Sequence, residues 1–315
     1  MAASKLVLIP GAGGVGRAVF EQLRAQEVPV RFMVRRQDDR ATELKGLGAE
    51  VVIGDLTRPE TVAAALQGVA RMFFAMTVSP DHLLAATVVA SVAKEYGKLE
   101  VLVDLSQMTV SQMTATSTAE SHQQRLHWLA EEVLNWSGLP VVHIRPTVFL
   151  DTPMFTTMAA KSIQESGTIA LPFGTGRTSP VAVDDVARVV ATVLRDPIPH
   201  IGHVYELTGP KSVNMTELAA IFSGALDRPV SYVDVPLAQW LAGLSNMGLP
   251  RHTEQHVATM AQLHRDNRYD RTADGVERVT GIPPQSIETF VAARRDFYLA
   301  GGDRGAAGLG PNSSR

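Results

Sequence analysis

The 315-residue chain contains no cysteine. Disulfides, thiolate nucleophiles and thiolate metal sites are therefore excluded, while the redox compartment stays open. An excess of charge of one sign is also missing. The formal net charge is −3 and no basic block occurs, so the footprint that a phosphate backbone demands is absent and nucleic acid is not expected as a main ligand. Long apolar runs are lacking too: the first, in MAASKLVLIPGAGG, holds only about five apolar residues before a glycine turn, short of the roughly 7 to 15 of a signal-peptide core. No later run approaches the roughly 20 residues of a membrane span. No membrane association and a cytoplasmic location are the expectation. There is no internal repeat, no Gly-x-Ser-x-Gly nucleophile elbow and no phosphate loop ending in Gly-Lys-Ser/Thr, so hydrolase and nucleoside triphosphatase chemistry fall away.

What is present is an ordinary globular balance, 45% hydrophobic and 19% charged, in a chain long enough for one large or two modest domains. Short apolar runs alternate with helical stretches through the first half. Strands are expected at Leu6 to Ile9, Val30 to Val34, Val51 to Ile53, Met72 to Ala75, Val101 to Leu105 and Val141 to Ile144, each continuous in the way of strands buried on both faces. Thr57-Arg58-Pro59-Glu60 reads as a capping box, and Ser79-Pro80-Asp81 opens the next helix. Right-handed crossovers wind six such strands outward in two halves, leaving a crevice at the carboxyl ends where the winding reverses. The expected class is α/β with a doubly wound parallel sheet over residues 1–150. A smaller mixed lobe over 151–299 follows, with helices at Pro153 to Ser166, Asp184 to Leu194, Thr216 to Leu226 and Pro236 to Leu244 and short strands near Tyr205 and Tyr232. A glycine- and serine-rich tail over 300–315 is expected to be disordered.

Gly11-Ala12-Gly13-Gly14-Val15-Gly16 satisfies G-x-G-x-x-G between a strand and an amphipathic helix carrying Ala18, Val19, Phe20 and Leu23. There, backbone amides at a helix start face a pyrophosphate; a tight strand-to-helix turn without a ligand is the plain alternative. Arg35 lies 19 residues past the last glycine, where an NAD-preferring site carries an acid for the ribose hydroxyls. A guanidinium can fork onto a 2′-phosphate, so Arg35, with Arg36, argues for NADP(H) over NAD(H); two solvated loop arginines are the alternative. Asp55, followed by Leu56, bounds the adenine pocket or simply begins a turn. Ala75, Met76 and Thr77, after the fourth strand, complete the expected cofactor lining on this side.

With these residues in place, the chain resembles the NmrA-like, atypical branch of the short-chain dehydrogenase/reductase superfamily, close to its triphenylmethane and quinone reductases, over roughly residues 4 to 299. The resemblance rests on the glycine loop, Val34-Arg35, Gly54-Asp55, Ile144-Arg145-Pro146 and Val183-Asp184-Asp185-Val186-Ala187. It implies a Rossmann fold, NADP(H), and hydride delivery to a small apolar acceptor of aromatic or quinone-like kind. Pro10 stands where the family's G-x-x-G-x-x-G has its first glycine, so Gly11 takes the turning role and residue 10 offers no amide. The superfamily's Tyr-x-x-x-Lys pair is absent: none of the five tyrosines has lysine at that spacing. At that place stand His127 and Glu131, four apart on one helix face, similar to the His-x-x-x-Glu of the reductase branch.

The resemblance makes His127 a proton donor or hydrogen-bond partner, the alternative being a surface histidine paired with Glu131. Ser106 falls near the catalytic serine position, or caps a strand end. Arg145, Pro146, Thr147 and Val148 pass beside the nicotinamide, and Met108, Phe149, Met154 and Phe155 form an apolar substrate wall or are simply core. No metal site is expected: His252 and His256, four apart, lack the glutamate and third ligand of a zinc helix and read as a solvated face. Three activities remain in play. They are an NADPH-dependent reductase, a redox sensor that binds NADP(H) without turnover and reports to a partner protein, and a carbonyl isomerase or reductase working through Ser106 and His127. Oligomeric state is open between monomer and homodimer.

Overall fold

The computed structural model describes residues 5–11 and 13–302. The tail expected from residue 300 lies outside the described residues from 303 onward, as does Ala12 in the glycine loop. The chain divides into two units, each assembled from separate stretches: residues 1–113, 122–146 and 186–206 form the first, and 114–121, 147–185 and 207–315 the second. A single cut at residue 150 does not describe this division, because residues 186–206 return to the first unit to extend its sheet.

The first unit alternates strands β1 (Val7–Pro10), β2 (Val30–Val34), β3 (Glu50–Ile53), β4 (Arg71–Phe74), β5 (Val101–Leu105) and β6 (Val141–Pro146) with helices α1 (Gly14–Arg24), α2 (Asp39–Gly46), α3 (Pro59–Leu66), α4 (His82–Tyr96) and α5 (His122–Trp136). The spatial order is β3-β2-β1-β4-β5-β6, with the paired strands parallel. Winding reverses between β1 and β4, as a doubly wound sheet of Rossmann type requires. A core cluster joins Leu8, Met72, Phe74 and Leu102 of the sheet to Val62 of α3, Ala85 and Val89 of α4, and Ala130 and Leu134 of α5. The helices were legible from their starts with one correction. The capping box at Thr57 does not form; the Thr57 hydroxyl donates to Asp55 Oδ1 at 2.8 Å, and α3 begins after Arg58 with Pro59 in its first turn.

The second unit holds α6 (Thr157–Ser166), β7 (Thr168–Leu171), β8 (Arg177–Thr178) and the first residues of α7 (Val183–Arg195). The rest of α7 and β9 (Val204–Leu207) carry the chain back through residues 186–206. After β9 come β10 (Val213–Asn214), α8 (Met215–Leu226), β11 (Ser231–Asp234), α9 (Leu237–Ser245), α10 (Arg251–Arg265) and three short helices ending at Leu299. The strand expected near Tyr205 is therefore not part of the second unit's own sheets. It is the seventh strand of the large sheet, beside β6, with His143 N donating to His203 O and Thr147 N to Leu207 O. The second unit keeps a parallel pair, β7 with β11, and an antiparallel pair, β8 with β10. Its core gathers Phe155, Phe173, Phe222, Phe290 and Tyr298. Among the described residues, no helix is long and apolar enough to cross a membrane.

Candidate cofactor and active site

Parallel strands end on one edge of a sheet, so the residue after each strand arrives at the same edge. Gly11 follows β1, Arg35 follows β2, Ala75 follows β4 and Ser106 follows β5. The expected residues of the first unit are thus brought to one carboxyl edge by connectivity alone. With strands about 4.8 Å apart, Ser106 lies roughly 10 Å across the sheet from the glycine loop, and Arg35 one strand to the other side.

The loop is built for close backbone approach. Gly11 turns the chain with φ +78° while its amide donates to Met33 O, and Gly14 enters α1 at φ +48°, a region closed to most side chains. A Cβ on Gly16 would sit 3.0 Å from Gly11 O and 3.2 Å from Ile9 Cγ2, so helix and strand are packed as tightly as the motif allows. Gly13 and Gly14 have open space where a Cβ would project. The first turn of α1 carries neither a capping side chain nor an acid, leaving its amides and the positive end of its dipole for an anion.

Arg35 and Arg36 are both exposed, the Arg35 side chain by 68%, and their guanidinium Nε atoms lie 3.8 Å and 3.9 Å from Asp55 and Asp38 respectively. Asp55 is fixed by the Thr57 amide at 2.9 Å and by the Thr57 hydroxyl; the amide holds its carboxyl below the usual carboxylate range against the opposing effect of burial. Leu56 is buried, Ala75 and Met76 are half-buried and Thr77 is exposed.

On the β5–β6 side, Ser106 is buried, its amide donates to Ile144 O at 2.8 Å, and its hydroxyl has no protein partner among the described residues. His127, half-buried on α5, lies against the His82 ring at 4.0 Å between centroids. His82 heads α4, is fully buried and contacts Phe74 as well; burial pushes its pKa down to about 4, so it is a neutral ring near pH 7. Neither His82 nor its contact with His127 was anticipated from the sequence.

Glu131 does not serve as the helical partner of His127. Its carboxylate accepts a fork from Arg145, Nε to Oε1 at 2.9 Å and Nη2 to Oε2 at 2.5 Å. Beneath that fork sits a second pair that sequence reasoning missed. His143 Nδ1 meets Asp104 Oδ2 at 2.8 Å, and Nε2 meets Asn135 Oδ1 at 3.0 Å. Burial pushes the Asp104 carboxyl up; burial also pulls His143 down, but the Asp104 carboxylate outweighs it and raises His143 overall. Asp104, Glu131 and His143 have metal-ligand chemistry and lie close together, yet both Glu131 oxygens and both His143 nitrogens are engaged by protein. A carboxylate in the apolar run VLVDL and a histidine in VVHIRP were the available signal.

In the second unit, Thr147 is buried with its hydroxyl unpartnered among the described residues, and Val148 joins the apolar core. Of the expected apolar wall, Met108 is buried in the first unit, Met154 lies at the margin of the second unit's core, and Phe155 is sealed within it; Phe149 alone is half-exposed. His256 is not on a solvated face. It is buried, bonds Ser121 Oγ at 2.8 Å through Nδ1, and is pushed down to about 4 by burial.

Comparison with known proteins places these features in context. The chain is 28% identical over 297 residues to the NAD(P)H azoreductase of Xenophilus azovorans, covering 94% of this chain and 99% of that protein. Its fold superposes on the Citrobacter sp. triphenylmethane reductase complexed with NADP(H), with a TM-score of 0.78, 21% identity and coverage of 92% and 99%. It likewise matches the Escherichia coli quinone oxidoreductase QOR2 complexed with NADPH, with a TM-score of 0.79, 22% identity and coverage of 91% and 99%. The model of the NmrA-like family matches residues 2–292, and with that span matched, the chain belongs to the NmrA-like family.

Proposed function

We propose that the protein is an NADPH-dependent reductase of small, flat, electron-poor acceptors. The observation that carries this reading is the open glycine loop at the uncapped start of α1, with a guanidinium at the end of the adjacent strand. A pyrophosphate fits this cradle because Gly13 and Gly14 leave the approach to the amides clear, and Arg35 supplies the charge that a 2′-phosphate needs. The adenosine end then belongs over β2 and β3, near Arg35, Arg36, Asp55 and Leu56. The loop binds the phosphates over β1, and the reactive end extends past Ala75, Met76 and Thr77 toward Ser106 and the end of β6 at Arg145 and Pro146. The Arg145 guanidinium is committed to Glu131, so this segment contributes through its backbone.

NADPH, when bound, supplies a hydride from its nicotinamide ring. The chain's own work is to orient the two reactants and exclude water. The Ser106 hydroxyl, without a protein partner among the described residues, is available to hydrogen-bond a ligand; the role suggested for His127 is to donate a bond or a proton to the reduced acceptor. Phe149, half-exposed, can offer apolar surface within the second unit, backed there by Phe155 of the core, whereas Met108 is buried in the first unit. The acceptor class is supported by the relatives' names, which belong to enzymes of azo compounds, triphenylmethanes and quinones.

The test is to follow NADPH absorbance in the presence of azo dyes, triarylmethane dyes, quinones and enones. Acceptor-dependent oxidation is expected with at least one conjugated acceptor. Saturable NADPH binding without turnover on any of them would overturn the reductase reading and leave the sensing role, for which the missing Tyr-x-x-x-Lys pair is the support.

A further inference from the structure

Three polar residues of α5 lie in one stripe. His127, Glu131 and Asn135 are spaced four apart and so share a face. Asn135 reaches His143 and Glu131 reaches Arg145, two residues apart on β6. Four helical residues rise about 6.0 Å and two strand residues about 6.6 Å, so the stripe and the strand stay in step. Because α5 links two parallel strands, it runs opposite to them, and each turn toward its start climbs one rung toward the carboxyl edge.

His143 ties the lowest rung. Asp104 is its cross-strand partner on β5, in register and bonded at 2.8 Å. One imidazole therefore joins β5, β6 and α5 together. Two residues on from Asp104 is Ser106, at the level of Arg145; eight residues back from Asn135 is His127, about 12 Å nearer the edge than Asn135 and about 6 Å beyond Glu131. Both ring nitrogens of His143 face oxygens, which fits an imidazolium donating in both directions. With Asp104, Glu131 and the half-buried Arg145 it makes a largely buried cluster of two acids and two bases, and such groups hold well only when every partner is in place.

We propose that His143 is a positioning residue of the reductase site: bridging Asp104 and Asn135, it sets β5, β6 and α5 in the register that presents Ser106 and His127 together at the carboxyl edge. This rests on the reductase reading given above for its activity readout, and on geometry alone for its structural one. His143 touches no substrate in this role. Its effect reaches the reacting groups through Ser106 and His127.

The test uses the full chain with two variants, His143→Gln, which keeps one amide donor for Asp104, and Asn135→Ala, at an exposed helical position that folds readily. Each is measured with and without His127→Ala. Both variants should lower kcat by about tenfold, less than the ~10²-fold that a 1 Å misplacement can bring, while the NADPH Kd stays within twofold because the glycine loop lies on β1. His127→Ala should then cost less in either background than in the parent chain, since coupled residues are not additive. An Asn135→Asp variant, which retains the acceptor oxygen, should recover kcat to within about threefold of the parent. A lowered Tm with kcat unchanged, or strictly additive effects with His127→Ala, would overturn the proposal. If the parent chain turns over no acceptor, the reductase reading fails separately, and the ¹⁵N ring signals of His127 decide: they should move in Asn135→Ala, and unmoved signals would overturn the positioning role.

Discussion

Arg35→Ala is the substitution that separates a phosphate site from a glycine turn. A hydrogen bond to a charged group contributes about 1.5 to 3 kcal/mol. The Arg35 side chain is 68% exposed, and Asp55 lies 3.8 Å from its Nε and competes for it, which puts the contribution at the low end, about 1.5 kcal/mol, or roughly tenfold in affinity. The assay is a fluorescence titration of parent and variant with NADPH and NADH at fixed ionic strength. NADPH affinity should fall about tenfold, NADH affinity should stay within twofold, and the difference should shrink at high salt as the exposed charge is screened. Arg35→Lys should fall between, keeping charge and losing the fork. Equal weakening of both nucleotides, or no change with NADPH, would refute the assignment of Arg35 to the 2′-phosphate.

Gly16→Val should reduce NADPH affinity more than Arg35→Ala does, because its Cβ would press on Gly11 O at 3.0 Å and displace the loop; the same titration reads it. Gly176→Ala should prevent folding of the second unit, since a Cβ there would overlap His264 O; a soluble variant with the parent's circular dichroism and Tm would contradict this. Stability should also fall in acid through the buried histidines. His82, His256 and His264 are each lowered to about 4 by burial from an ordinary 6.5, so between those values the unfolded chain binds protons that the folded chain does not. Their contribution is complete above about pH 6.5 and is lost as pH falls toward 4, on the order of several kcal/mol together. His143, raised by Asp104, acts in the opposite sense, its share present below pH 6.5 and lost as pH rises through its folded value. Urea midpoints should drop from pH 7.5 to pH 5, and a flat profile would refute the buried neutral rings.

Six strands and the glycine loop were legible because both signals are local. A continuous apolar run between glycine turns marks a strand, and the six runs fall within a residue or two of β1 to β6; five are mostly buried, while β3, at the sheet edge, is not buried on both faces as expected, with Ile53 exposed. β9 was visible as a strand near Tyr205 but not as a neighbour of β6, because that pairing joins residues some 60 apart and so leaves no local signal. The same holds at the site. Glycine positions declare a loop, whereas Glu131 was read against its helical neighbour His127 when its partner, Arg145, comes from the next strand. His143 and Asp104 were each hidden as one polar residue in an apolar strand, and only the β5–β6 register brings them together. The Thr57 capping box failed for a related reason, a nearer acceptor in Asp55.

The central claim is that backbone amides at the start of α1, with Arg35 beside them, hold a nucleotide carrying a 2′-phosphate. Isothermal titration of the purified chain with NADPH, run beside NADH, measures this most directly. A saturable heat signal with NADPH bound at least tenfold more tightly than NADH is the expected result; no saturable signal at millimolar NADPH would contradict the account.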